Sequence, residues 1–353
     1  MSAQLVNLEV RSARVAVVGA GVAGLSLARW LANRNTAVHV FDKSRGVGGR
    51  MATRRMEWVD GQGVTRTAAL DHGVGAFAAH SMAFQARVAQ VAAIGSLVRW
   101  QPKLADGLME PAAWVSRPDM PAWCRRMAEG LPLTLYHAVD AVRRDRDGWS
   151  IMSEGDVLGS GFDHVVLAMP PVQAAVLLAP HRPDWSEQAG QVPMQPCWTL
   201  MGVSASPPET PTWESARPLE GPLASVWRND SKPGRERLDG HAAWVAHARA
   251  DWSETHLEDD PSAVQAQLLA AMNQVVGHEM VWRRSVVHRW RYAHAPAQRW
   301  VAGRCWWDPA LGLGVCGDFL GGGGVEGAWQ SADALAQNID AVAMPEIRQM
   351  ARP

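Results

Sequence analysis

Three glycine-bearing stretches, far apart in the chain, carry residue types that could cradle a phosphorylated ligand. Gly19, Gly21 and Gly24 have the spacing Gly-x-Gly-x-x-Gly, between a β-branched run (Val15, Val17, Val18) and a helical stretch over 25–33. In such a turn Gly19 permits the tight bend and Gly21 lets the backbone approach a diphosphate. Val22 and Ala23 then open a helix whose N-terminus faces the anion, and Gly24 lets helix and strand pack closely. A side chain at Gly21 is expected to collide with phosphate. Asp42 closes a second run (Val38, Val40, Phe41), 18 residues beyond Gly24. There it is placed to accept hydrogen bonds from ribose hydroxyls and to repel a 2′-phosphate.

This turn alone does not separate NAD from FAD. The second stretch does: Gly48-Gly49-Arg50-Met51 follows the second run, where two glycines allow backbone contact and Arg50 offers a fixed fork of donors to phosphate oxygens. An exposed basic loop is the plainer alternative. The third stretch ends a strand in Gly317-Asp318, turns through Gly321 to Gly324, and starts a helix at Val325-Glu326-Gly327-Ala328. The Asp318 carboxylate suits ribityl or phosphate-linked hydroxyls, and free N–H groups at the helix start suit negative charge on a reduced flavin. A capped structural turn is the alternative here.

The elements that must position these residues follow from pattern. Residues 13–41 read as a βαβ unit, 81–100 has helical spacing, and 118–129 is a short helix after prolines. Residues 133–142, 148–152 and 164–169 read as strands, the last stopped by Pro170 and Pro171 before a helix over 173–178. Prolines are dense over 181–222. Strands at 223–227, 242–248 and 286–292 surround a helix at 263–276, and a final strand at 313–316 precedes a helix over 325–338. The fold expected is α/β: a Rossmann-type FAD-binding domain with a second, mixed-sheet α+β substrate domain. We assign 12–75, 131–180 and 300–343 to the first, 76–130 and 181–299 to the second, and 344–353 to a frayed tail.

Composition agrees with a small-molecule enzyme. The 353 residues hold 34 basic and 35 acidic side chains, without the footprint for nucleic acid or an anionic membrane. Cys124, Cys197, Cys305 and Cys316 form no metal or disulfide pattern, so no metal is expected. Residues 1–11 lack a signal-peptide pattern, and the expected location is the cytoplasm.

Together with Asp71-His72-Gly73, residues 165–170, Ser231-Lys232-Pro233-Gly234-Arg235 and His288-Arg289-Trp290-Arg291-Tyr292-Ala293, these motifs resemble the bacterial renalase-like flavoproteins. Those sit within the monoamine-oxidase-type FAD superfamily. Phe41-Asp42-Lys43-Ser44-Arg45-Gly46, Ser-Lys-Pro-Gly-Arg and Trp-Arg-Tyr-Ala point to the narrower branch. The resemblance implies a two-domain fold, non-covalent FAD, hydride transfer to flavin, and reoxidation by O2 to give hydrogen peroxide. The implied substrates are dihydronicotinamide dinucleotides misreduced at ring position 2 or 6. Family positions put cofactor contacts at Ala23, Asp42, Arg50, Gly317, Asp318 and the 325–328 backbone. Lys43, Arg45, Gly49 and Met51 flank them, and Val139 lies in a strand of the kind that borders adenine. Gly73, Gly75 and Ala76 fall where relatives line the flavin. Relatives usually read Ala-Gln-Tyr-Phe after Asp-x-Gly, whereas this chain reads Val74-Gly75-Ala76-Phe77. A wider pocket with fewer hydrogen bonds follows, and with it a change in discrimination.

Hydride transfer needs orientation more than an acid or base. His72, His247, Trp290 and Tyr292 are the candidates for catalysis, with His241, His288 and His294 behind them. Structural roles in a sheet are the alternative for the histidines. Eleven of the eighteen tryptophans lie from Trp198 onward and could wall a flat pocket. Arg228, Lys232 and Arg291, with Arg235, are candidates to grip a dinucleotide diphosphate. Cys305 and Cys316 raise a covalent flavin thioether, against burial of Cys316 in a strand. An amine oxidase or desaturase acting on an apolar substrate, and a flavin-binding protein without turnover, remain the competing functions.

Overall fold

The computed structural model describes residues 13–206, 211–295 and 302–343. The N-terminal segment read for targeting, both domain limits set at residues 12 and 299–300, and the tail expected over 344–353 lie outside the described residues.

Short Val-rich runs buried on both faces form parallel sheets covered by helices. Here six strands lie in the order Trp306–Asp308, Leu313–Val315, His164–Leu167, Arg14–Val18, Ala37–Phe41, Leu133–Thr134. Every neighbouring pair is parallel except the first. Alternate residues of Arg14–Val18 feed two cores. Val15 and Val17 join Leu25, Leu27 and Leu31 of the helix Val22–Ala32 and Leu335 of the helix Gly324–Ala343. Ala16 and Val18 join Trp149, Ile151 and Leu177 on the other side. Val18 is level with Phe41 and Leu167, and Leu167 with Val315, so these strands end together. Gly19, Asp42, Ala168 and Cys316 therefore share one sheet edge, where doubly wound folds bind nucleotides.

The second sheet is antiparallel: Ser215–Ala216, Leu223–Arg228, His241–Ala248, Gln195–Ala205, Trp282–His294. The helix Pro261–Val276 covers one face through Val264, Leu268 and Met272. Met201, Val203, Ala243 and Val245 on the other face pack on Met56, Trp58, Ala68 and Leu70. These last four belong to the hairpin Arg54–Val59 and Thr65–Leu70.

Several expectations are corrected. The helical pattern over 81–100 is a helix only over Met82–Ala93; Gly95 takes φ +75°, and Leu97–Trp100 is a strand paired with Ala113–Ser116. The strand expected over 133–142 stops at Thr134, because Tyr136 takes φ +65°, and a new strand starts at Ala141. Within the proline-dense stretch lie a helix, Pro183–Gly190, with proline in its first turn, and the eleven-residue strand Gln195–Ala205.

Candidate active site

At the shared sheet edge the three N-terminal glycines do different work. A Cβ at Gly19 would lie 2.2 Å from the Ala168 carbonyl oxygen, and one at Gly24 1.9 Å from the Gly19 carbonyl oxygen. Both are required by packing of protein on protein. A Cβ at Gly21 would meet nothing within 4 Å, and its φ of −82° is open to any residue. Glycine at this position is thus explained by space that a ligand would fill. The helix behind it has no side-chain cap and no acidic residue in its first turn, leaving its N–H groups for an anion.

Asp42 ties this turn to its neighbour. One carboxylate oxygen accepts from the Ala20 N–H and the other from the Ser44 N–H, each at 2.7 Å. The Gly48 N–H donates to the Ala20 carbonyl at 2.8 Å, and a Cβ on Gly49 would stand 3.4 Å from Gly21 Cα. The two glycine stretches are therefore face to face. Lys43 and Arg45 are exposed, Met51 is buried, and Val139, expected in a strand, lies outside any strand and packs against the second core.

The C-terminal stretch closes on the same place. Arg50 donates both arms of its guanidinium to Asp318, at 2.8 and 2.5 Å, and reaches the Ala293 carbonyl at 3.1 Å. Burial works against the charge of Arg50, but the Asp318 carboxylate outweighs it and holds the guanidinium above its usual range. Gly322, Gly323 and Gly324 all take positive φ. Val325 and Ala328 are buried, while Glu326 accepts from the His80 and Ser81 N–H groups at 2.8 and 2.9 Å. The side chain of Glu326 thus fastens the segment before the helix Met82–Ala93. Cys316 is fully buried and burial pushes its thiol up, which suits the core reading rather than a reactive thiol.

The wall between the two sheets is built on Asp71, for which the sequence alone predicts no role. Its fully buried carboxylate accepts from Lys232 at 3.1 Å and from Arg235 at 2.7 Å, with the Thr53 hydroxyl at 2.7 Å and the Met120 N–H at 3.3 Å. Burial favours the protonated acid, yet Lys232 and Arg235 hold Asp71 below the usual carboxylate range. Lys232 is fully buried, and burial brings its ammonium down to about 8. Its Nζ stands 5.6 Å from the Trp100 ring and 5.8 Å from the Trp227 ring. A Cβ on Gly75 would lie 3.1 Å from Trp227, so the glycine makes room for that indole. Gly73 is likewise explained by protein contact, with the Arg50 carbonyl oxygen 2.0 Å from a built Cβ. Ala76 is half-buried against the first core.

His72, His288 and Trp290 form one aromatic group: His72 stacks on Trp290 at 5.3 Å and meets His288 edge-on at 4.9 Å. Trp290 Nε1 donates to the His72 carbonyl at 3.1 Å. Trp227 meets His247 edge-on at 4.8 Å. Tyr292 is half-buried on the same strand as Trp290. Of the four cations proposed to grip a diphosphate, Lys232 and Arg235 share Asp71, whereas Arg228 pairs with Asp230 and Arg291 with Glu258 at the surface, so the four are not brought together. No described helix is long and apolar enough to cross a membrane.

Residues 17–92 match the NAD(P)-binding Rossmann-like domain family, and residues 70–340 match the flavin containing amine oxidoreductase family. Solved structures share the fold at low identity. A candidate protoporphyrinogen oxidase from Exiguobacterium sp. 255-15 aligns with a TM-score of 0.69 at 11% identity, over 94% of this chain and 99% of that one. Reduced UDP-galactopyranose mutase gives 0.68 at 12% identity, over 97% and 98%. An engineered triple variant of putrescine oxidase gives 0.63 at 14%, over 94% and 99%.

Proposed function

The chain belongs to the flavin containing amine oxidoreductase family and its cofactor is FAD, and from that premise we propose that it is a renalase-like oxidase of misreduced dihydronicotinamide dinucleotides. The net reaction converts a 2- or 6-dihydro isomer, O2 and a proton into NAD(P)+ and hydrogen peroxide. When bound, FAD supplies the two-electron acceptor. Gly21 and the uncapped start of Val22–Ala32 would hold its diphosphate without a covalent link, Asp42 its ribose, and Arg50 with Asp318 the diphosphate and ribityl chain. The 325–328 backbone would border the flavin.

The observation that carries this reading is the charge of the wall. Among the described residues one carboxylate, Asp71, pairs with both Lys232 and Arg235, so this buried cluster holds an excess of positive charge. Such a joint repels a protonated amine and favours an uncharged ring attached to an anionic diphosphate. Trp227, pressed against Gly75, and Trp290 give the flat apolar surfaces on which such a ring is oriented and water excluded.

Anaerobic addition of 2- or 6-dihydronicotinamide isomers should bleach the visible flavin band, and peroxide should appear when air is admitted. A flavin left oxidised by both isomers ends the proposal. The aromatic surfaces also support a second reading, oxidation of an amine or a polyene. Bleaching by one of those with no response to the isomers would establish it, whereas no peroxide with any donor would leave a flavin-binding protein without turnover.

A further inference from the structure

The strand that leads into Gly317-Asp318 carries a thiol that the proposed reaction does not use, and a second thiol stands across from it. In the antiparallel pair Trp306–Asp308 and Leu313–Val315, Asp308 is opposite Leu313 and Trp306 opposite Val315. Continued by one residue, that register sets Cys305 opposite Cys316. The side chains alternate to match. Trp306 and Val315 belong to the second core, whereas Trp307 turns to the first, where a Cβ on Gly314 would meet it and Leu335 at 3.2 Å. Cys305 and Cys316 again pack with the first core, on the side of the helix Gly324–Ala343, whose Asn338 donates through Nδ2 to Cys305 Sγ at 3.2 Å. Residues directly opposed in an antiparallel pair have Cα atoms about 4.5–5.5 Å apart, inside the roughly 4.4–6.8 Å that a disulfide spans. Both thiols are free. Cys316 is fully buried and Cys305 half-buried, so an oxidant meets Cys305 first.

We propose that Cys305 and Cys316 are a modification site, closed to a disulfide by hydrogen peroxide. The Cys305 sulfur attacks one peroxide oxygen; the O–O bond breaks, a water leaves, and Cys305 becomes a sulfenic acid. The Cys316 sulfur then attacks that of Cys305, the S–S bond forms, and the S–O bond breaks to release a second water. Two thiols thus lose two electrons and two protons to one peroxide. The source of the peroxide rests on the oxidase reading above, whereas the pair itself rests on the strand register. Burial raises both thiols, and Cys305 raises Cys316 further, so the bond forms slowly and registers sustained rather than brief exposure. Its place gives it an effect. The Cys316 N–H donates to the Leu167 carbonyl at 3.1 Å, and the next two residues engage the Ser331 hydroxyl and Arg50. A cross-link there fixes the base of the turn that would hold the ribityl chain, and so retains the cofactor.

The test exposes the FAD-loaded full chain to reagent hydrogen peroxide at about pH 9, where more of each thiol is ionised, and maps disulfides by mass after digestion without reductant. The Cys305–Cys316 bond should appear, and the melting temperature should rise by about 3–6 °C. Release of FAD on dilution, followed by its fluorescence, should slow by about threefold or more. Cys305→Ser should abolish all three responses, and Cys316→Ser serves should the first variant not fold. Both thiols left free, or Cys305 carried alone to sulfinic acid, overturns the proposal. A disulfide with FAD release unchanged overturns its effect on the cofactor. In a parallel arm, dihydronicotinamide isomers and air replace the reagent peroxide. No peroxide from the isomers, with the disulfide formed by the reagent, removes the oxidase reading but keeps the thiol pair, whereas peroxide from the isomers with no disulfide in either arm removes only the pair.

Discussion

The glycine-built edge and the aromatic wall are assembled by opposite means. At the edge the groups we propose as binding are main-chain N–H donors, and side chains such as Asp42 hold the turns together. In the wall the working groups are side chains from three places: Asp71 after the hairpin, Lys232 and Arg235 on a turn, and Trp290 on the last strand of the second sheet. A site made of backbone demands the absence of side chains, and any change there is a steric event. A site made of buried charges demands balance, and any change there is an electrostatic event.

Asp71 gives the sharpest way to break that contrast. Asp71→Asn leaves Lys232 and Arg235 without a counter-charge in a fully buried place, and should cost about 3–5 kcal/mol of folding stability by denaturant titration. A loss under about 1 kcal/mol would mean that packing, rather than charge balance, holds the wall.

The edge should fail in a different currency. Gly21→Val should leave the apo protein's melting unchanged, since a built Cβ meets nothing, but weaken FAD about tenfold to a hundredfold through overpacking. Gly24→Ala should do the reverse and lower stability, because its Cβ would stand 1.9 Å from a carbonyl oxygen. FAD affinity measured by fluorescence titration, set against apo melting, separates the two. A Gly21→Val protein that binds FAD normally would show that the open space is not the phosphate cradle.

The same contrast explains what was legible in the sequence. Gly19, Gly21 and Gly24 carry their requirement in their identity, and the strand ends around them follow from local Val-rich runs. Asp71 carries no such mark, since its partners Lys232 and Arg235 lie 161 and 164 residues away and meet it only through the second sheet. The fourth strand of that sheet, Gln195–Ala205, escaped for a related reason. It is buried on both faces almost throughout, so it lacks alternation, and it sits among prolines. The strand read over 133–142 was cut short by a left-handed Tyr136, a conformation that tyrosine does not advertise. His72 and His247 were legible as candidates, but their burial against Trp290 and Trp227 depends on strands that only the fold brings together.

Lys232 offers the smallest and most discriminating effect, because its sign runs against intuition. A folded-state value near 8, below the 10.5 of an ordinary lysine, means that burial penalises the ammonium. Between those values the unfolded chain holds a proton that the folded chain has shed, so stability rises with pH. From pH 8 to 9 the unaltered protein should gain about 1 kcal/mol relative to Lys232→Met, read as the difference between their denaturation curves. At pH 7 the variant should be at least as stable as the parent, since Arg235 remains to balance Asp71 while a penalised charge has gone. A gap that does not change with pH would show that Lys232 keeps its proton throughout, and that the wall carries its excess charge more firmly than its burial implies.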